Sequence, residues 1–486
     1  MARPNLLLVV SDQHNPHIGG WAGDPVVRTP ALDRLAAAGV DFTQAYCAGP
    51  LCVPSRMALM TGQYPLDLGI WTNSEILPST TPTFAHALTA AGYETVLCGR
   101  MHFIGFDQNH GFRQRLVGDV SGAMSGTTAG QEMFEGVWSR RGCGQDVGSL
   151  LPEAVGPGRA TYEIYDEAVT ARAIRLLETW DRQPPERPFC LVVGLLLPHN
   201  PYVCAPELFD EYMDRLPAAP EASIAPDEHP AVQDLRRYRG TAQITPEMAR
   251  RARAAYYGLV TTLDRNLERL LQALDATRLA ETTQVIYTSD HGDLCGEHGL
   301  WWKDSFYEGS VRVPLLWAGP GVARPGRAEK RVVSLCDLAP TLTALAEAPE
   351  LPGARGQSLA ALLQGGPAEA ASGRAFAETC AIGQQPARMI RQGPWKLCAY
   401  HGFETPQLFN LDDDPGEQHD RGRDADCADI RAALTAALRR EWDGAAVRRR
   451  LDRLEAERRL LAEGRRAAGP TVAECWPFPH GGNRRA

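Results

Sequence analysis

Short apolar runs alternate with amphipathic stretches over most of the chain. The runs at residues 6–10, 94–98, 189–197, 284–288 and 313–317 are nearly continuous in apolar residues. A short run of this kind is typical of a strand that is buried on both faces, because neither face then needs polar side chains. These five runs predict the strands of a central sheet.

The segments between the runs carry helical spacing and helix-boundary signals. Residues 29–38 and 81–91 each begin with a Thr-Pro pair and end before a glycine, and residues 247–274 repeat apolar positions at helical spacing. Threonine caps the first turn of a helix, and proline is tolerated there. The alternation predicts an α/β fold with a parallel or mixed sheet that is flanked by helices on both faces.

Three stretches depart from this alternation. Residues 118–159 are rich in Gly and polar residues without a clear period, which is typical of a long functional insertion. Residues 349–373 read as a linker, and the short β-rich runs after it predict a small antiparallel sheet. We therefore expect a catalytic domain at 1–372, a smaller α+β domain at 373–440, and a helical, Arg-rich tail at 441–486.

Composition narrows the class of protein. The chain has 486 residues and a net charge of −9, which argues against a general binder of nucleic acid or anionic membranes. The apolar start of the chain is too short for a signal peptide, and no run reaches the roughly 20 apolar residues of a membrane span. A cytoplasmic location is expected. The 12 cysteines are scattered without zinc-like spacing. Because the cytoplasm is a reducing compartment, no structural disulfides are expected.

Polar residues follow four of the five apolar runs. They are Asp12 and Gln13, Arg100 and His102, His199, and Asp290 and His291. Functional sites of open α/β sheets form beyond the carboxyl ends of the strands. A single histidine at such a place is more often structural, but four coincident placements predict one functional site.

The first and fourth of these groups have metal-binding chemistry. Carboxylates with an amide and an imidazole suit a hard divalent cation, first Ca²⁺, with Mg²⁺ or Mn²⁺ as alternatives. The predicted ligands are Asp12, Gln13, Asp290 and His291, together with the side chain at position 52. The structural alternative is that Asp12 and Asp290 are helix caps or turn residues.

Cys52 does not fit a site of this kind as a plain thiol. A helix is expected to start near Ser55, which would place Cys52 at its N-terminal approach, where anions are favoured. A buried thiol or a cysteine nucleophile are the other interpretations. A thiolate beside oxygen ligands for a hard metal is chemically odd, and a modified cysteine would resolve the mismatch.

The segment Cys52-Val-Pro-Ser-Arg56, followed by Met60-Thr-Gly62, resembles the signature of the sulfatase family. In that family the C-x-P-S-R core directs oxidation of the cysteine to formylglycine. Other segments resemble family elements: Asp12 and Ser289-Asp-His-Gly292 the metal ligands, Gly99-Arg-Met-His102 the G-K-x-H element, Pro198-His199 the active-site histidine, and Lys303 the second lysine. Two departures are Gln13 in place of the usual aspartate and Arg100 in place of the usual lysine.

The resemblance implies an alkaline-phosphatase-like fold, with a mixed, mostly parallel sheet, and it also implies a mechanism and a partner. Arg56, Arg100 and Lys303 would stabilise charge on the sulfuryl oxygens, and His199, with Lys303, would protonate the departing alkoxide. His102 would take a proton from the second hydroxyl of the hydrated formylglycine. A formylglycine-generating enzyme would act on Cys52. The implied substrate is a small-molecule sulfate ester.

Within the family, residues 100–112 and the tail look most like choline-sulfatase-type and arylsulfatase enzymes, and that subgroup implies a homo-oligomer. A choline pocket needs aromatic faces and a carboxylate, for which the candidates are Trp71, Trp138, Trp301 and Glu378. The nearest alternative is a phosphonate monoester hydrolase or phosphodiesterase of the same superfamily. A second alternative is an inactive homologue that binds anions or serves in assembly.

Overall fold

The computed structural model describes residues 3–119, 145–217, 224, 228–366, 373–380 and 385–468. The chain forms two compact units, Met1–Trp442 and Asp443–Ala486. Among the described residues, no helix is both long enough and apolar enough to cross a bilayer.

The described strands, in chain order, are β1 (Asn5–Asp12), β2 (Gly39–Phe42), β3 (Ala45–Tyr46), β4 (Glu94–Gly99), β5 (Gln114–Arg115), β6 (Gly156–Pro157), β7 (Phe189–Pro198), β8 (Val203–Cys204), β9 (Thr283–Ser289), β10 (Arg312–Val313), β11 (Leu315–Ala318), β12 (Arg327–Glu329), β13 (Val333–Ser334), β14 (Arg374–Thr379), β15 (Ala387–Gln392), β16 (Trp395–Tyr400) and β17 (Gln407–Asn410).

The described α-helices are α1 (Pro30–Ala38), α2 (Cys52–Thr61), α3 (Pro65–Leu68), α4 (Phe84–Ala90), α5 (Thr161–Arg182), α6 (Pro206–Arg215), α7 (Pro230–Arg239), α8 (Pro246–Asp275), α9 (Glu308–Val311), α10 (Leu338–Leu345), α11 (Ala360–Leu363), α12 (Ala428–Arg439) and α13 (Gly444–Ala468). The last of these belongs to the second unit.

An eight-stranded sheet forms the centre of the first unit, in the order β12-β2-β11-β9-β1-β7-β4-β5. Strand β1 lies between β7 and β9 and runs parallel to both, and β4 runs parallel to β7. Strand β11 is antiparallel to β9 and β2. The predicted mixed, mostly parallel sheet is confirmed.

Helices cover both faces of this sheet. Because side chains alternate along a strand, Leu7 and Val9 of β1 enter the core on one face, whereas Leu8 and Val10 enter the core on the other. Helices α1, α5 and α6 pack against the long helix α8 on the first side, and α10 packs against α2 and α4 on the second. This explains why the central strands are apolar along their middle.

The predicted small sheet is also present. Strands β14-β15-β16-β17 form an antiparallel sheet, and α12 packs against β15 and β16. This sheet belongs to the same compact unit as the eight-stranded sheet. The boundaries expected at residues 372 and 440 stay predictions.

Three element boundaries differ from the sequence prediction. The strand expected at 313–317 is divided at Pro314, which has no N–H to donate to a ladder: β10 pairs with β3, and β11 pairs with β9. The helix expected at 81–91 begins at Phe84, because Thr83 and His86 form its capping box. The helix expected near Ser55 begins at Cys52, since a proline in the first turn removes no intrahelical hydrogen bond.

Part of the predicted insertion at 118–159 can be placed. Residues 120–144 lie outside the described residues, whereas Val147–Leu150 form a 3₁₀-helix and β6 pairs with β8. The tail beyond Ala468 also lies outside the described residues.

Candidate active site

Four neighbouring strands end at one edge of the large sheet. Strands β4, β7, β1 and β9 are consecutive and parallel, so their carboxyl ends meet. Asp12 ends β1, Asp290 follows β9, and His199 follows β7. The parallel order brings together residues that are far apart in the chain.

Four side chains at this edge offer ligand atoms to a common point. Atoms of Asp12, Cys52, Asp290 and His291 all lie within 4.8 Å of one another, and all four residues are buried. The Nδ1 atom of His291 lies 3.0 Å from the carbonyl oxygen of Gly292. Because a carbonyl only accepts, Nδ1 carries the proton and Nε2 presents a lone pair to the cluster. The donor set therefore fits a divalent cation.

Arg56 holds the two aspartates by their outer oxygens. Its Nε donates to Oδ2 of Asp290 at 2.7 Å, and its Nη2 donates to Oδ2 of Asp12 at 3.2 Å. The Oδ1 atoms remain on the side of His291, whose Nε2 lies 3.8 Å from Asp12 and 3.6 Å from Asp290. Arg56 is itself fully buried. Arg56 therefore orients both carboxylates through the oxygens that are turned away from His291.

Burial and the Cys52 sulfur both favour the protonated form of Asp12, but neighbouring cations outweigh them. Arg100, His199 and Arg56 lower the pKa of Asp12 to about 2. The residue is therefore an anion at neutral pH, as a ligand of a hard cation must be.

The surroundings of Cys52 favour negative charge at its side chain. Its Sγ lies 3.2 Å from Nζ of Lys303, 3.3 Å from Nε2 of His291 and 3.6 Å from Oδ1 of Asp12. Burial raises the pKa of the thiol, but Lys303, His291 and hydrogen bonds from His102 and His199 lower it well below its usual value. As the first residue of α2, Cys52 also lies at the positive end of a helix.

Gln13 is oriented by hydrogen bonds to both ends of its amide. Its Nε2 donates to Oδ2 of Asp293 at 2.7 Å and to Oδ1 of Asn200 at 3.3 Å, and its Oε1 accepts from Nζ of Lys303 at 2.8 Å. The partners assign the amide, since a carboxylate can only accept. The Gln13 oxygen therefore faces Lys303, and its predicted role as a metal ligand stays a prediction.

Arg100 and His102 form a second group beside Cys52. Arg100 Nε donates to Oδ2 of Asp12 at 2.6 Å, and Arg100 Nη2 lies 2.9 Å from Nδ1 of His102. Asp119 contacts both residues. Burial, together with the charge of Arg100, lowers the pKa of His102.

His199 is held by the backbone. Its Nδ1 lies 2.5 Å from the carbonyl oxygen of Asn200, so Nδ1 carries a proton and donates it to that carbonyl. Its ring packs edge-on against Tyr162 at 5.7 Å.

The residues predicted for an alcohol pocket are only partly brought together. Trp71 Nε1 donates to Oε2 of Glu378 at 2.8 Å, and both side chains are buried. Glu378 also lies 3.5 Å from Nε of Arg388, and burial raises its pKa although Arg388 opposes this. Trp301 contacts Tyr202, with 6.2 Å between ring centroids. Trp138 lies outside the described residues.

The sequence analysis did not identify three buried partners of the site: Asp119, Asp293 and Asn200. Asp293 stands in the segment Ser289-Asp-His-Gly-Asp293, where a second carboxylate next to the predicted ligands was an available signal. Asp119 lies in an aperiodic Gly-rich stretch and gave no such signal.

Comparison with known proteins agrees with this geometry. The family model described as Sulfatase matches residues 4–348, and a model described as N-sulphoglucosamine sulphohydrolase, C-terminal, matches residues 296–443. A choline-sulfatase of Rhizobium meliloti (strain 1021) is 34% identical over 427 residues, covering 85% of this chain and 81% of that protein. Arylsulfatase K of Danio rerio is 29% identical over 445 residues, covering 85% and 79%.

A solved structure of similar fold is the phosphonate monoester hydrolase of Agrobacterium radiobacter. It superposes with a TM-score of 0.71 at 24% identity and covers 90% of this chain and 94% of that chain. The family model and the relatives show a hydrolase of sulfuric esters. The chain belongs to the sulfatase family.

Proposed function

We propose that this sulfatase cleaves sulfate monoesters of small alcohols, choline sulfate or aryl sulfates, at a formylglycine made from Cys52. The observation that carries the proposal is the environment of Cys52. Lys303, His291 and Asp12 lie within 3.2–3.6 Å of its sulfur. Against the effect of burial, Lys303 and His291, with hydrogen bonds from His102 and His199, favour an anion there. An oxygen nucleophile suits this place better than a thiolate, because hard cations prefer oxygen ligands.

A divalent cation would be held by Asp12, Asp290, His291 and the side chain at position 52, with Gln13 adjacent. Ca²⁺ is our first candidate, and Mg²⁺ and Mn²⁺ are the alternatives. Such a cation, when bound, acidifies a coordinated hydroxyl and neutralises charge on the group transferred. The inward Oδ1 atoms of the two aspartates support this assignment.

The cations of the chain would bind the sulfuryl group. Lys303 reaches position 52 and is oriented by Gln13, so its ammonium group can contact a sulfuryl oxygen as charge develops. Arg100 lies on the other side, tied to Asp12. Arg56 has its guanidinium committed to the two aspartates, so its role is to hold them.

His199 would deliver the proton to the departing alkoxide oxygen. Its Nδ1–H donates to the Asn200 carbonyl, which leaves Nε2 to carry and release the catalytic proton. A fixed ring orientation is what such a donor requires.

The alcohol group of the sulfate ester is proposed from two sources, the candidate pocket residues and the names of the relatives. The name of the choline-sulfatase relative, at 34% identity, points to a quaternary ammonium alcohol, and the arylsulfatase K relatives point to aryl esters. The Trp71–Glu378 pair supplies an aromatic ring and a carboxylate, which would suit an organic cation. Arg388 lies beside Glu378 and partly neutralises the charge of this carboxylate. Esters of uncharged aryl alcohols are therefore tested in parallel.

A phosphonate monoester or a phosphodiester is the second candidate substrate class. Both carry a single negative charge, as a sulfate monoester does, and would meet the same pair of cations, Lys303 and Arg100. An inactive anion-binding homologue is a further alternative. The formylglycine-generating partner, the homo-oligomer and the cytoplasmic location stay predictions.

The test is a parallel rate measurement on protein co-produced with a formylglycine-generating enzyme. Choline sulfate, an aryl sulfate, a phosphonate monoester and a phosphodiester are compared at equal concentration, after chelation and return of Ca²⁺, Mg²⁺ or Mn²⁺. We expect the highest kcat/KM on a sulfate ester and a peptide mass about 18 Da below that of unmodified Cys52. An unmodified cysteine in a fully active enzyme would overturn the proposal, and higher rates on the phosphonate would select the second candidate.

A further inference from the structure

Arg100 distributes its guanidinium over three partners. Its Nε donates to Asp12 at 2.6 Å, its Nη1 donates to Oδ1 of Asp119 at 3.1 Å, and its Nη2 lies 2.9 Å from Nδ1 of His102. All four residues are buried. A lysine in place of Arg100 would have a single nitrogen, whereas Arg100 contacts its partners through three nitrogens.

The contact with Arg100 determines which nitrogen of His102 is protonated. A guanidinium has only donors, so Nδ1 of His102 must accept. In the neutral ring the proton is then on Nε2. Since the His102 side chain hydrogen-bonds with Cys52, the resting site has His102 as a donor toward position 52. The base role predicted from the sequence would require this Arg100–His102 bond to break first.

Asp119 fixes both members of that bond. One carboxylate oxygen accepts from Arg100, and the other accepts the backbone N–H of His102 at 2.7 Å. The backbone of His102 is in the left-handed region, with φ of 59°, which is uncommon for a residue other than glycine. A conformation of this kind persists only when its surroundings hold it. Asp119 provides such a hold from a separate segment that follows β5, whereas Arg100 and His102 follow β4.

We propose that Asp119 is a positioning residue, which holds the Arg100 guanidinium and the His102 backbone so that His102 meets position 52 through Nε2–H. The proposal rests on the proposed function for the identity of the reaction, but the hydrogen-bonding arrangement does not depend on it.

The test replaces Asp119 with asparagine in the full-length protein. An asparagine keeps one acceptor oxygen but presents an NH₂ group to the second donor, so it cannot hold Arg100 and His102 together. Long-range ¹H–¹⁵N spectra of ¹⁵N-histidine-labelled protein report the tautomer, and His102→Gln identifies the signal. We expect pure Nε2–H in the wild type and a mixture with Nδ1–H in Asp119→Asn.

The kinetic expectation for Asp119→Asn is a kcat that is lower by about 10- to 100-fold, with KM within about threefold, as for other residues that orient an active-site group. Asp264→Asn is the matched control. Asp264 is also buried, and it accepts two backbone N–H groups, from Ala31 at 3.0 Å and Leu32 at 2.9 Å. Its replacement should lower stability without moving the His102 signal.

If Asp119→Asn does not fold, Arg100→Lys tests the same arrangement, because a single ammonium group cannot bridge three partners in fixed directions. It too should release the Nδ1–H form. An unchanged Nε2–H signal in the folded variant would overturn the proposal. If the wild type has no sulfatase activity but the His102 tautomer still changes in Asp119→Asn, the positioning role is supported and the proposed function is rejected.

Discussion

Two groups of buried charge in this protein have similar members and opposite arrangements. The catalytic cluster consists of Asp12, Asp290, Arg56 and Arg100, at the carboxyl ends of the central strands. The lysine cluster consists of Lys396 on β16 with Glu308 on α9 and Glu417. Both are shielded from solvent.

In the lysine cluster the cation lies between its partners. Lys396 Nζ donates to Glu308 Oε1 at 2.8 Å and to the Phe306 carbonyl at 2.6 Å, and it lies 2.5 Å from Glu417 Oε1. One ammonium group therefore faces two carboxylates and one carbonyl oxygen, and the protein itself supplies the cation that these acceptors share.

In the catalytic cluster the two arginines lie on the outer side of the carboxylates, and Lys303 contacts the Cys52 sulfur. The arginines take the Oδ2 atoms, whereas the Oδ1 atoms face His291 and Cys52. Oxygen, nitrogen and sulfur acceptors that face one another repel unless a cation joins them. The comparison teaches that the direction of the lone pairs, more than the number of buried charges, distinguishes a functional site from a structural one.

The largest effect on stability is expected in the lysine cluster. Lys396→Met leaves Glu308 and Glu417 buried without their cation, which should lower the free energy of unfolding by about 3–5 kcal/mol. Urea unfolding measures it. Arg355→Met, at the solvent-exposed ion pair with Glu441, is the control and should cost less than about 1 kcal/mol. Equal losses in the two variants would contradict the assignment of a buried cluster.

The next effect concerns the response to a cation. Ca²⁺ at 100 times its Kd should stabilise the wild type by about 2.7 kcal/mol, because only the folded state holds the ligands together. Asp290→Asn should abolish this increment, since it removes an inward oxygen ligand, whereas Lys396→Met should keep it. Urea unfolding with and without Ca²⁺ measures both. A Ca²⁺ increment that survives in Asp290→Asn would place the cation elsewhere.

The smallest of the three effects is a pH dependence in the lysine cluster. Burial and Glu308 raise the pKa of Glu417 from 4.5 to about 7, against the effect of Lys396. A raised carboxyl pKa means that the folded state binds more protons here. The contribution of Glu417 is therefore full below pH 4.5 and is lost as the pH rises through 7.

Glu417→Gln should remove this slope. Relative to the variant, the wild type should lose about 1–3 kcal/mol between pH 4.5 and 8, measured by urea unfolding at fixed salt. Parallel stability curves for the two proteins would reject the raised pKa.

The sequence predicted the sheet and the residues at its edge because both follow from local rules. Apolar runs identify buried strands, and a polar residue directly after a run marks the strand end, as for Asp12 and Asp290. The C-x-P-S-R segment added Cys52 through resemblance. The family was confirmed by the comparisons with known proteins, and the fold class was confirmed by the observed sheet.

Other features depend on contacts between distant segments, which a local pattern does not encode. The acceptor roles of Asp119 and Asp293 and the paired Trp71 and Glu378 belong to this class. The early start of α2 at Cys52 was missed for a different reason. Pro54 lies in the first turn of α2, where a proline removes no intrahelical hydrogen bond.

The most direct test of the account is the time course of sulfate-ester cleavage by Cys52→Ser beside the wild type. A serine at position 52 has one hydroxyl, so once sulfated it has no second hydroxyl from which the sulfate could be expelled. The account predicts continuous turnover by the wild type and at most one equivalent of alcohol released by Cys52→Ser, with the variant's mass raised by one sulfuryl group. Sustained multiple turnover by Cys52→Ser would contradict it.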